Sequence, residues 1–175
     1  MTPEKIYSRS FKASRAFFRI TASPKGLYAL DFGSRSRGFQ ENNLTPSKIH
    51  RILLKAELLL KKYLAGQKAH FGNLPVDWSG YKPFERCVLR YLRKIPHGRT
   101  ESYQVLALRS GRPRAARYVG KVLGLNRLPI ILPCHRVVRK DGALGGFSRG
   151  IRWKKELLKL EGAWDDKKSQ HEPTL

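Results

Sequence analysis

Two runs rich in aromatic and β-branched residues, Ala16-Phe17-Phe18-Arg19-Ile20-Thr21 and Leu27-Tyr28-Ala29-Leu30-Asp31-Phe32, are separated by Ser23-Pro24-Lys25-Gly26. Such side chains fit a pleated, half-buried surface, and Pro and Gly between them supply turn geometry, so the pair predicts a β-hairpin. Apart from one short run before Cys134, the later apolar patterns keep a helical period. The chain is thereby expected to be α+β: a small N-terminal α/β domain, hairpin or sheet plus helix, then a mostly helical C-terminal domain. Thr45-Pro46 marks a helix start, a hydroxyl cap followed by proline at the first helical position. Ile49, Leu53, Leu54, Ala56, Leu58, Leu60 and Leu64 carry its stripe to a stop at Gly66. Residues 33–44 read as a loop. The expected domains are 1–80, including a connecting segment, and 81–163, with 164–175 a disordered tail.

Charge narrows the function classes. The chain has 175 residues, with 36 Lys plus Arg against 13 Asp plus Glu and a formal net charge of +23. Its 41% hydrophobic content supports a packed core and excludes a wholly disordered basic protein. No apolar run approaches the roughly 18 residues of a membrane-spanning helix. The N-terminal MTPEKIYSRSF lacks the apolar core of a secretory signal, so an intracellular, cytoplasmic protein without membrane association is expected. Two cysteines, Cys87 and Cys134, are too few for a disulfide framework, and His50 and His70 lack further ligands, so no metal is expected. Residues 1–80 carry net +9, residues 81–155 net +16 and residues 156–175 net −2. A field concentrated in the middle segment points to a polyanion, nucleic acid first.

That segment also holds the motifs. Phe84, Cys87, Val88, Tyr91 and Leu92 predict an amphipathic helix over 84–93, with Cys87 a buried thiol. Residues 100–108 and 114–125 predict two helices broken by Ser110-Gly111-Arg112-Pro113, a helix-turn-helix pattern. The latter helix sets Arg114, Arg117 and Lys121 on one face and turns Tyr118, Val119, Val122 and Leu123 inward. Ala115 and Ala116 are small enough for close approach to a ligand. An apolar strand-like run, 128–132, then leads into Pro133-Cys134-His135-Arg136-Val137. Two readings stand: a core cysteine beside a satisfied histidine, or a nucleophile whose thiolate is favoured by His135 and a positive field. The flanking prolines, Gly142, Gly145 and Gly146, and the basic neighbours favour the second. A helix over 150–160 follows, ending at Glu161, which is either a surface carboxylate or the acceptor that orients His135.

Taken in order, Pro83-Phe84, Ile95-Pro96-His97-Gly98, Ser102-Tyr103, Ala115-Ala116-Arg117, Asn126, Pro133–Val137, Gly146-Phe147-Ser148 and Leu160-Glu161-Gly162 resemble the O6-alkylguanine-DNA alkyltransferases. The resemblance is close over about 81–162 and mostly architectural over 1–80. It implies a winged-helix-like DNA-binding domain and repair by direct reversal, with one alkyl group moved irreversibly from O6-alkylguanine in double-stranded DNA to the protein. It implies Cys134 as alkyl acceptor, His135 as base acting through a water, Glu161 holding the imidazole, Asn126 bracing the cysteine loop and Tyr103 donating a proton to the leaving guanine. Arg117 would enter the duplex in place of the flipped nucleotide, with Arg114, Ala115, Ala116, Lys121 and Arg136 also on the DNA. Val137, Phe147 and Ser148 would contact the base. The resemblance implies a monomer with no cofactor, spent after one turnover. Phe147 stands where some members have tyrosine, Arg149 where glycine is common and Leu89 where tryptophan is usual. With no cysteine before Cys87, the N-terminal zinc site of some members is not expected.

Three other readings are weaker. A lesion-binding module without chemistry would not need Cys134. A regulator reading sequence would want polar side chains where Ala115 and Ala116 stand. A Cys-His hydrolase leaves the charge unexplained. Arg114→Ala and Lys121→Ala are each expected to weaken duplex binding and to flatten its log–log salt dependence by about one unit. Titrations at several salt concentrations read this, and an unchanged slope in both variants means the stripe faces away from phosphate. Arg117→Ala should slow repair more than it weakens binding.

Overall fold

Three antiparallel strands in sequential order, β1 (Tyr7–Ala13), β2 (Ala16–Ser23) and β3 (Gly26–Gly33), form a meander. The computed structural model describes residues 5–33 and 46–165. The chain divides into two units, Met1–Tyr81 and Lys82–Leu175. The expected hairpin is present as β2 and β3, joined across Pro24-Lys25 with Ser23 opposite Gly26. β1 is an addition that the sequence reading missed. It joins β2 through Ser14-Arg15, with Ser14 in the left-handed region at φ 52°. Of the loop expected over 33–44, Gly33 instead ends β3; its remainder, the Thr45 cap and the tail from 166 onward lie outside the described residues.

Helix α1 (Ser47–Leu64) has Pro46 as its cap rather than as its first helical residue, and buries Ile49, Leu53, Ala56, Leu60 and Tyr63, the i, i+4, i+7 stripe of a helix laid on a sheet. Phe18 is the centre of this core, fully buried and stacked between Phe11 and Phe32 with centroids 5.4 Å away on each side. Glu57, buried on α1, is held by Arg9 of β1 and by Lys61 one turn later, at 2.6 Å for the latter. The segment after α1 returns to the edge of β3: Leu27 donates to Pro75 O and Asp77 to Leu27 O, each at 2.8 Å. Gly26 is required there, because a Cβ would lie 2.7 Å from the Pro75 backbone.

The second unit is built from α2 (Pro83–Leu92), β4 (Glu101–Ser102), α3 (Tyr103–Arg109), α4 (Ala116–Gly124), β5 (Val137–Val138) and α5 (Ile151–Leu160). Its core combines Val88, Leu89 and Leu92 of α2, Leu106 and Ala107 of α3, Val119, Val122 and Leu123 of α4, and Leu157 and Leu158 of α5. Several details differ from expectation. Cys87 is half-buried, its Sγ 3.9 Å from Ser110 O, because the buried stripe of α2 runs through Glu85, Val88, Leu89 and Leu92. Tyr118 faces outward at 37% exposure, donating to Glu85 Oε1 at 3.1 Å and stacking on Phe84. Glu101 and Ser102 are strand rather than helix. They pair in parallel with Val137 and Val138, and the Ser102 hydroxyl then caps α3 by accepting from Val105 N at 3.2 Å. Residues 128–132 are turn, not strand: Leu132 N closes back on Leu128 O at 2.8 Å, and Ile130 sits at φ 73°.

Removing the Phe18 ring leaves a cavity between two aromatic neighbours. Phe18→Ala is expected to cost about 3–5 kcal/mol of stability by urea unfolding, whereas a loss below about 1 kcal/mol would show that the sheet core closes around it.

Candidate active site

The site grows from one short crossing of the chain. The parallel β4–β5 pair lays Ser102 beside Val138, so Tyr103 at the start of α3 and the turn before β5 are brought together from positions about thirty residues apart. That turn is a 3-10 turn over Cys134–Arg136. It follows a backbone loop in which a β-branched residue, Ile130, adopts a left-handed conformation, a strain of about 1–3 kcal/mol that the fully buried Leu128–Leu132 packing maintains. Cys134 N donates to Leu132 O at 2.7 Å, closing the last bend before the thiol.

Asn126 braces this loop from inside. Its Nδ2 donates to Leu132 O at 2.8 Å and lies 3.0 Å from Cys134 Sγ, while its Oδ1 accepts from Leu128 N at 3.0 Å. One amide thus fixes three points of the loop and gives the sulfur a donor. Cys134 is 3% exposed. Burial pushes its thiol up to about 11, although the Asn126 hydrogen bond and the charges of Lys154 and Arg149 work in the opposite direction. The positive field expected to favour thiolate is present but is outweighed by desolvation. The resting sulfur is a thiol, and a base is needed.

His135 follows Cys134 in the same 3-10 turn. Its Nε2 lies 2.8 Å from Glu161 Oε1, and both side chains are fully buried. Glu161, the residue that closes α5, also receives Arg136 twice, from Nε at 2.9 Å and from Nη2 at 2.9 Å, and Gly98 N at 3.3 Å. Arg136 Nη1 reaches Ile95 O at 2.6 Å. Burial would raise the Glu161 carboxyl, but the hydrogen bonds from His135 and Arg136 overcome it and hold the group well below the usual carboxylate range. Burial lowers His135 against the raising influence of Glu161. The imidazole is therefore neutral, the carboxylate ionised, and Arg136 is the permanent counter-ion. With Nε2 engaged by Glu161, proton exchange falls to Nδ1. Arg136, expected on the DNA, is instead buried at 8% exposure and serves the histidine from behind.

A cavity of about 280 Å³ opens on the sulfur, lined by Tyr103, Gly120, Leu123, Gly124, Cys134, Gly146, Phe147 and Ser148. Phe147 and Ser148, expected to contact the base, are on its wall, and Phe147 meets the His135 ring edge-on at 6.5 Å. Val137 does not line the cavity: its amide donates to Cys134 O and its carbonyl accepts from Lys154. Burial, then the Cys134 charge, raise the Tyr103 phenol, which keeps it a proton donor. Gly120 and Gly124 leave one wall of α4 without side chains, a spacing of four that the sequence displayed and the reading passed over. Arg114, Arg117 and Lys121 are exposed and Ala115 and Ala116 half-exposed, with Arg114 and Ala115 in the turn before α4 rather than within it.

Lys154 was also missed. It lies fully buried on α5 and donates to the carbonyls of Val137, Leu144 and Gly146. The signal was available, because Lys154 falls three and four residues before Leu157 and Leu158 on the apolar stripe. Among the described residues no group of three or more His, Cys, Asp and Glu is placed to hold a metal ion, and no helix is long and apolar enough to cross a membrane.

The site thus joins a buried cysteine with an Asn donor, a Glu-held histidine and a cavity of about 280 Å³ on an α+β scaffold. Residues 83–163 match the model of the 6-O-methylguanine DNA methyltransferase DNA-binding domain. The chain is 38% identical over 110 residues to a methylated-DNA–protein-cysteine methyltransferase of Haemophilus influenzae, covering 63% of this chain and 61% of that protein. It is 35% identical over 144 residues to the protein of that name in Methanosarcina barkeri, covering 81% of this chain and 88% of the relative. A Mycobacterium tuberculosis OGT solved in complex with DNA superposes with a TM-score of 0.72 at 32% identity, covering 89% of this chain and 92% of that one. The chain belongs to the methylated-DNA–protein-cysteine methyltransferase family. It spans about three-fifths of the length of the Haemophilus relative.

Two outcomes test the electrostatics. Glu161→Gln leaves Arg136 buried without its counter-ion and is expected to cost about 3–5 kcal/mol by denaturant unfolding. Iodoacetamide modification of Cys134 in the free protein should rise about tenfold per pH unit from 7 to 9.5 without levelling, because the thiolate is the reacting form. A plateau below pH 8 would show a preformed thiolate.

Proposed function

We propose that this protein repairs O6-alkylguanine in double-stranded DNA by moving the alkyl group to Cys134, once per molecule and without a cofactor. The observation that carries this reading is the neutral His135, held by an ionised Glu161, beside a protonated Cys134 that opens on a base-sized cavity. Acyl-transfer chemistry needs donors converging on a tetrahedral oxyanion. Here the polar groups instead prepare a soft nucleophile and a proton for a leaving base.

His135 takes the thiol proton, across one water as in the family. Sγ attacks the alkyl carbon in line, the carbon–O6 bond breaks, and its electron pair passes to the guanine. Tyr103 donates its phenolic proton as charge builds on the ring, and the protonated imidazole is the net source from which that proton is replaced. The product is a thioether, which does not exchange with thiols as a disulfide does.

The alkylated base is out of reach in a stacked duplex, so it is extruded at a cost of a few kcal/mol. α3, the turn through Gly111 and α4 act as the helix-turn-helix of a winged-helix-like domain spanning 81–163, with 1–80 a separate α/β domain. Arg117 fills the space left by the base, Ala115 and Ala116 allow α4 to approach the backbone, and Arg114 and Lys121 take phosphates. Phe147 and Ser148 contact the base. The protein acts as a cytoplasmic monomer.

Incubation with an oligonucleotide carrying O6-methylguanine should add one methyl group to the Cys134 peptide by mass, in a one-to-one yield. Full repair by Cys134→Ala, or no mass gain at Cys134, overturns the proposal.

A further inference from the structure

Lys154 has no part in the proton path from Cys134 to Glu161, yet it is one of the largest fully buried side chains in the protein. Burying an ammonium is costly unless its protons are all accepted. Its three acceptors are backbone carbonyls: Val137 O at the end of the cysteine turn, and Leu144 O and Gly146 O, the last at 3.3 Å. The two latter carbonyls flank Gly145, which adopts φ 64°. A Cβ on Gly145 would stand 2.8 Å from Tyr103 Oη, so the backbone there lies directly against the phenol. The Lys154 ammonium is also 5.9 Å from the Tyr103 ring. Tyr103, Cys134 and Gly146 are three walls of the same cavity.

We propose that Lys154 is a positioning residue for the pocket: by gathering the carbonyls of Val137, Leu144 and Gly146 around one buried ammonium, it holds the Gly145 backbone against Tyr103 and fixes the width of the cavity opposite Cys134. This rests on the alkyl-transfer reading only for its consequence, the size of alkyl group accepted. The geometric statement stands apart from DNA. Desolvation brings Lys154 down to about 8, with the Cys134 charge opposing that shift, so the ammonium remains largely charged at neutral pH. Other groups around Cys134 are His135 on its own turn, Tyr103 of α3 and Arg149 before α5.

The test needs no lesion. Cys134 in the full chain is modified with iodoacetamide and with the bulkier iodoacetanilide, each followed by peptide mass, in wild type, Lys154→Met and Gly145→Ala. Methionine keeps the length of the stem and loses all donors. In Lys154→Met the ratio of bulky to small reagent rates should change by about fivefold or more, and the pH profile of iodoacetamide modification should move to higher pH as the cation beside the sulfur is lost. In Gly145→Ala the ratio should change while the pH profile stays, because the wall moves and the charge remains. A size ratio unchanged in Lys154→Met overturns the proposal, and if that variant does not fold, a ratio unchanged in Gly145→Ala overturns it, because the Gly145 backbone is then not a wall of the cavity. A protein that shows these shifts yet takes no methyl group from O6-methylguanine refutes the transfer reading and leaves the positioning role intact.

Discussion

The interaction on which the site depends is the pairing of Arg136 with Glu161. A buried carboxylate facing a histidine has two ways to lower its cost: take the imidazole proton into a charged pair, or be neutralised by another cation. Arg136 supplies the second through two hydrogen bonds in its planar fork, and guanidinium does not give up its proton. Glu161 therefore stays ionised without charging His135. The imidazole is left oriented, neutral and able to accept. A lysine at position 136 would keep the charge but lose the fork, and the division of labour between the two nitrogens of His135 with it.

Sequence neighbours with such different jobs are possible because the cysteine turn is short and fully enclosed. Over three residues of 3-10 turn, Cys134 faces the cavity while His135 and Arg136 face Glu161. Asn126 holds the preceding loop at Leu128, Leu132 and the sulfur. The two-residue β4–β5 ladder ties Tyr103 to the same place. These are small elements, and each is fixed by hydrogen bonds rather than by area. The hydrophobic core of α2, α3, α4 and α5 supplies the rigidity behind them.

Much of this was legible in the sequence, and the misses share a cause. Periodicity found α1, α2 and the β2–β3 hairpin because each buries one face over many residues. It missed β1, in which Phe11 is the single residue counted as buried and no clean alternation appears. It misread 128–132, where five apolar residues are buried by a turn rather than by a strand; a run that short has no period to measure. At the site, Cys134, His135, Asn126 and Glu161 were visible as residue types in an ordered pattern. Arg136 was misplaced because a basic residue in a basic segment reads as surface, and its burial is decided by Glu161, 25 residues away. The protonation state of Cys134 was misjudged for the same reason. Neighbouring charges can be counted along a chain, whereas desolvation belongs to the packed fold and here outweighs them.

The enclosed, protonated sulfur has a consequence for the lifetime of the molecule before it meets a lesion. Oxidation to sulfenic acid and capture by adventitious electrophiles both begin from exposed thiolate. In the proposed transfer the sulfur is used once, so every such encounter would deplete it. A Cys134 thiol that is buried and protonated until a base takes its proton is reached only by what enters the cavity, so under that reading the fold acts as a safety catch on a single shot, and peroxide and stray alkylators find a sulfur with little to offer them.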